Sequence, residues 1–123
     1  MKKKIHLFIY IFLAFTLFQS CNKTAKKAEV KETRNYEIKI NQAVEINWGS
    51  FGDEESVYIS KQATHFATSE IVRKADYNSI YTYLPIKDYV GDDELQIKTN
   101  TGNDGFGNGA TITIYTIKIT ITK

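Results

Sequence analysis

From residue 35 onward the apolar residues of this chain recur at every second position, and that alternation limits the fold more than any other feature. Tyr36, Ile38 and Ile40 alternate with Glu37 and Lys39, and Val44, Ile46 and Trp48 alternate with Glu45 and Asn47. Successive side chains of a strand point to opposite faces, so each run predicts a strand with one buried face. Val57 and Ile59, then Ile80 to Leu84 closed by Pro85, then Leu95 and Ile97 continue the pattern. Residues 63–76 fit neither period well and predict a short helical turn or an edge strand. Residues 99–109 carry four of the chain's seven glycines and predict a loop. In the last strand Ile112 and Ile114 are out of phase with Ile117, Ile119 and Ile121, which predicts a β-bulge near Tyr115 and Thr116 if all five are to reach the core. Six or seven short strands without alternating helices predict an all-β, antiparallel two-sheet sandwich.

The N-terminus obeys different rules. Lys2, Lys3 and Lys4 precede an apolar run over residues 5–18, interrupted by His6 and Thr16, which has the length of a signal-peptide core and is short for a membrane span. It ends at Leu17, Phe18, Gln19, Ser20 and Cys21, which resembles a bacterial lipobox, with Ser20 and Cys21 in the two places next to the cut. Phe18 and Gln19 depart from the strictest form of that motif. The resemblance implies a signal peptide over residues 1–20 and a mature chain beginning at Cys21, where diacylglycerol and an acylated amine form a membrane anchor. Residues 21–34 then predict a lipidated cysteine on a disordered tether, since Val30 is its one bulky side chain after Cys21. Asn22, in the place where an Asp signals inner-membrane retention in enterobacterial lipoproteins, implies a cell-envelope location on the outer membrane, and the basic residues after it, in place of the acidic run seen in surface-exported lipoproteins, imply that it faces the periplasm.

The single folded domain is therefore expected over residues 35–123. Residues 22–34 carry a formal charge of +3 and residues 35–123 one of −4, so the folded part lacks the basic face that nucleic-acid binding requires. With Cys21 as its one cysteine, the chain cannot close an internal disulfide.

Residues 83–97 carry Tyr83, Pro85, Tyr89, Gly91, Asp93, Leu95 and Ile97 in the spacing of bacterial cadherin-like and immunoglobulin-like repeat domains, which this segment resembles. The residues have structural work to do whatever their ancestry. Tyr83 and Leu95 pack between sheets, Pro85 ends a strand, Tyr89 covers a connection, Gly91 allows a tight turn, and Asp93 caps it by accepting backbone N–H bonds.

Three kinds of chemistry deserve weighing. Calcium needs six to eight oxygens from convergent loops. Asp92, Asp93 and Asp104 are the candidate ligands, although no acidic run has EF-hand spacing. No other cofactor is implied. Hydrolysis has only His65 with Ser60 or Ser69, and nothing resembling a nucleophile elbow, so the chain is expected not to be an enzyme. Phe51 and Phe106 lie among glycines in predicted loops, where a bulky ring serves the core poorly, and are the candidate binding residues. The sequence thus predicts a membrane-anchored lipoprotein whose non-catalytic domain recognises a protein or carbohydrate of the envelope. The alternative is a structural or accessory subunit that pairs through a sheet edge.

Overall fold

The period-two runs become seven strands in a computed structural model that describes residues 28–102 and 109–123. They are β1 (Ala28–Lys39), β2 (Val44–Ser50), β3 (Ser56–Lys61), β4 (Phe66–Arg73), β5 (Asn78–Pro85), β6 (Gly91–Asn100) and β7 (Thr111–Thr122). Four form one sheet in the order β1-β7-β6-β3, and three form a second in the order β2-β5-β4. This is the strand order of an immunoglobulin-like sandwich, with the first strand placed on the larger sheet.

The core lies between the sheets. Ile38 of β1, Leu95 and Ile97 of β6, and Ile117, Ile119 and Ile121 of β7 face Ile46 of β2 and Tyr81 and Tyr83 of β5. Each fully buried isoleucine or leucine contributes roughly 1.5–3 kcal/mol through removal from water. Pro85 is the buried last residue of β5, where its missing N–H costs the ladder little.

The unclear segment 63–76 proves to contain an edge strand, β4, whose register on β5 slips between Phe66 and Thr68. Similar irregularities break β2 between Asn47 and Ser50 and β3 between Ile59 and Lys61.

Three sequence expectations change. Residues 28–34, expected in the tether, belong to β1, so the sandwich begins at Ala28 and not at residue 35. Parallel backbone pairing with β7, from Ala28 opposite Thr111 to Lys39 opposite Thr122, orders this polar segment without needing bulky side chains. That pair also makes the larger sheet mixed, since every other strand pairing is antiparallel. Third, β7 has no bulge, because its register with β6 runs unbroken from Ile112 to Ile121. Thr113 and Tyr115 take the inner positions, and Ile112 and Ile114 lie on the outer face of the sheet beside Asn100 and Lys98.

Candidate functional site

The two ends of the sandwich are built differently. At one end the chain turns at residues 40–43, 62–65 and 86–90, and here Asp93 is the hub. It is 6% exposed, and its carboxylate accepts from the backbone N–H of Thr64 (2.9 Å), His65 (2.7 Å) and Glu94 (2.9 Å) and from the Tyr83 hydroxyl (2.9 Å). Burial pushes its pKa up, but the donors of Thr64, His65, Tyr83 and Glu94 outweigh that and hold it below the ordinary aspartate value. Tyr83 is shifted the other way, upward, by burial and by the adjacent Asp93. A second buried network joins the same connection: the Ser69 hydroxyl meets the Tyr81 hydroxyl at 2.8 Å and donates to Gln62 Oε1, while Gln62 Nε2 donates to the Ser69 carbonyl.

Gly91 opens β6 at this end with φ +145°, and a Cβ there would lie 2.9 Å from the Tyr89 hydroxyl oxygen. That hydroxyl donates to the Asp92 carbonyl, and the Tyr89 ring stacks on His65 with centroids 4.3 Å apart. Asn41 and Asp88 lock the neighbouring turns with two reciprocal bonds. The roles anticipated for Tyr83, Pro85, Tyr89, Gly91 and Leu95 are therefore visible. Asp93 differs in one respect: it mainly caps the β3–β4 connection from across the fold.

This geometry separates the proposed calcium ligands. Asp92 and Asp93 are consecutive in a strand and point to opposite faces. Asp92 Oδ1 accepts from Thr120 Oγ1 on the outside, whereas Asp93 is committed to four donors inside. Asp104 lies outside the described residues. Among the described residues no cluster of three or more His, Cys, Asp or Glu could hold a metal. The serines considered beside His65 are engaged elsewhere, Ser69 with Tyr81 and Gln62, and Ser60 with the Gln96 carbonyl at 3.3 Å.

At the opposite end lie residues 51–55 and 74–77, with residues 101–102 and 109–110 at the ends of β6 and β7. Ser50 pairs with Asn78 and Ser56 with Asn100, which brings the strand ends together. Gly102 comes so close to the first connection that a Cβ would sit 3.0 Å from the Glu54 carbonyl oxygen. Arg73 unites the first two. Its guanidinium donates to the Phe51 carbonyl at 2.6 Å and lies 5.2 Å from the centre of the Tyr77 ring.

Tyr77 is 63% exposed and has φ +64°, a left-handed conformation that an aromatic residue rarely adopts. The turn is held around it by Tyr77 N–H to the Lys74 carbonyl and by Asp76, whose carboxylate accepts from Asn78 backbone and side chain. The Asn78 side-chain bond, then its backbone bond, lower the Asp76 pKa.

Between these loops and the parting edges of β3 and β4 lies an open groove of about 450 Å³ whose lining is mixed, with Phe51, Tyr58 and Ile71 beside Glu55, Arg73 and Ser79. Phe51 is thus half-buried along a groove rather than a free ring at a loop tip. Phe106 and Cys21 lie outside the described residues. Sequence reasoning missed Arg73, Tyr58 and the left-handed Tyr77. The one local signal was the polar run Lys74, Asp76 and Asn78 around a tyrosine, a turn composition in which a large ring is out of place.

Among the described residues no helix is long and apolar enough to cross a membrane. No family model matches the chain, and no significant match is found among curated proteins. Among solved structures, the cysteine protease inhibitor EhICP2 from Entamoeba histolytica is similar over 78% of this chain and 97% of its own length, at 14% identity and a TM-score of 0.45. A likeness of that degree carries no statement about what this chain binds.

Proposed function

We propose that this chain is a lipid-anchored envelope protein whose sandwich is a non-catalytic binding domain, gripping a protein segment at the end formed by residues 51–55 and 74–77. The observation that carries the proposal is the linkage of Phe51, Arg73 and Tyr77 across two loops beside a groove of mixed polar and apolar lining. Aromatic residues together with arginine supply most of the affinity in protein-binding patches, and this end presents Phe51, Tyr58, Tyr77 and Arg73 close to one another. Tyr77 adds a second support. Its backbone is strained and its ring covers no core, so the fold gains nothing obvious by keeping it there.

The anchor in this proposal is the lipid on Cys21, supported by the basic start, the apolar run over residues 5–18 and Ser20 before the cysteine. The location that follows is the outer membrane, on its periplasmic side.

Capture of partners from envelope extracts by the full chain, with Phe51→Ala and Tyr77→Ala variants beside it, tests the binding end. Loss of the same captured protein in both variants is the expected result. Unchanged capture overturns the loop-end proposal, and binding to a glycan array without protein capture would replace the protein partner by a carbohydrate. Membrane fractionation with lipid labelling of Cys21→Ala tests the anchor, and a variant still labelled and membrane-bound would refute it.

A further inference from the structure

The four edge strands of this sandwich are not equally protected. β2, β3 and β4 each carry a register irregularity, a common device for preventing a free edge from pairing with another chain. β1 carries none. It runs as an unbroken strand of 12 residues, and among the described residues it pairs only with β7.

The orientation of its free bonds follows from one contact. Ile40 N–H donates to the Thr122 carbonyl, so even-numbered residues of β1 bond β7. Glu29, Lys31, Thr33, Asn35 and Glu37 then direct their N–H and C=O outward along the edge. The ladder stops at Lys39, whose N–H is taken by Gln42 Oε1 and whose carbonyl accepts from Gln42 N–H.

The side chains of these outward residues form a charge pattern that is complementary to itself. We propose that β1 pairs antiparallel with β1 of a second copy of this chain, about a two-fold axis through Arg34, making one continuous sheet from two four-stranded ones. In that register Lys31 lies opposite Glu37 of the second copy, Glu29 opposite Lys39, and Thr33 opposite Asn35, each occurring twice because the interface is symmetric. On the inner face Val30, 41% exposed in the single chain, meets Ile38.

The one like-charged pair is Arg34 with its copy. Its guanidinium is already turned inward, 4.8 Å from the Trp48 ring centre and 4.5 Å from that of Tyr115, which draws the charge away from the axis. Moving the axis one residue, to Thr33, sets Glu29 against Glu37 and removes the Lys31 pairs, so the charges select a register as well as a partner. This surface is separate from the loop end, and neither proposal depends on the other.

Sedimentation equilibrium of the full chain in a density-matched detergent, up to about 1 mM, reads the dimer directly. A concentration-dependent dimer is expected. Lys31→Glu or Glu37→Lys should each weaken it about tenfold, because each reversal places like charges together at two symmetric positions. The double charge swap restores opposite pairs and should return the constant to within about threefold of the native one. Thr33→Pro should abolish the dimer without costing a bond to β7, since the lost N–H faces outward. If Thr33→Pro fails to fold, the charge series alone decides. A chain that stays monomeric throughout, or a dimer indifferent to both charge reversals, overturns the proposal.

Discussion

The end of the sandwich organised by Asp93 and the end bearing Tyr77 are made from the same seven strands, yet they treat polar groups and strain in opposite ways. At the first, the buried Asp93 carboxylate bonds the Tyr83 hydroxyl and the backbone N–H groups of Thr64 and His65, Ser69 bonds both Tyr81 and Gln62, and the two networks clamp the β3–β4 connection. At the second, an exposed ring sits on a strained backbone, and a guanidinium bridges two loops at the surface beside an open groove of mixed lining. The contrast teaches that stability has been concentrated at one end, leaving the other free to carry conformations that binding can use.

Several changes would break or sharpen that contrast. Asp93→Asn leaves the backbone donors of Thr64 and His65 and the Tyr83 hydroxyl facing an amide that can accept at only one atom. The expected loss is about 3 kcal/mol in urea unfolding, larger than for any substitution in the Phe51 and Tyr77 loops. A loss below about 1 kcal/mol would mean that the hub is not where stability resides.

Titration probes the same end. Asp93 has a lowered pKa in the folded state, so its contribution is full above the unfolded value near 4 and disappears as pH falls through the lower folded value. Tyr81 moves the other way, with burial pushing it up to about 12 despite the Ser69 bond that opposes the shift. Stability from the neutral Tyr81 is full below the unfolded value near 10 and is lost as pH rises toward 12, by roughly 2 kcal/mol. Urea midpoints measured across pH should therefore fall at both extremes, and Asp93→Asn should flatten the acid side most while also reducing the alkaline fall, because the Asp93 charge adds to the upward shifts of Tyr81 and Tyr83.

Gly91→Ala forces a Cβ against the Tyr89 hydroxyl in a left-handed conformation, and about 2 kcal/mol of destabilisation is expected by thermal unfolding. Tyr77→Gly gives the smallest change and the most telling sign. Relief of the left-handed strain should raise stability by about 0.5 kcal/mol while removing partner capture. If Tyr77→Gly instead unfolds the chain, the ring is structural and the two ends are not divided as described.

How much of this was legible beforehand depends on whether the determining interaction is local. Alternation along Tyr36 to Trp48 and Leu95 to Ile97 announces strands because each residue reports its own face. The roles of Gly91 and Tyr89 were readable because glycine at a turn and an aromatic two residues away act within a few residues of one another. Residues 28–34 were misread as tether because their ordering comes from pairing with a distant strand, as in Ala28 opposite Thr111 and Arg34 opposite Ile117, which no local count of apolar residues contains. The bulge expected in β7 failed for a related reason. It assumed that every isoleucine must be inside, whereas Thr113 holds an inner position and Ile112 and Ile114 face outward. For the site, Phe51 was found by its incongruous place among glycines, but Arg73 was not, because nothing in its own neighbourhood shows that it will reach the Phe51 carbonyl.

The parallel pairing of the first and last strands also sets which end of the sandwich lies next to the segment that precedes it. β1 begins at Ala28, opposite Thr111, at the same end as the loops bearing Phe51 and Tyr77. With Cys21 lipidated as proposed, a leash of seven residues reaching at most about 25 Å joins the bilayer to that end. The loop end of each copy is then the end held nearest its own lipid anchor, and in the antiparallel β1 dimer the two anchors leave from opposite ends of the shared edge.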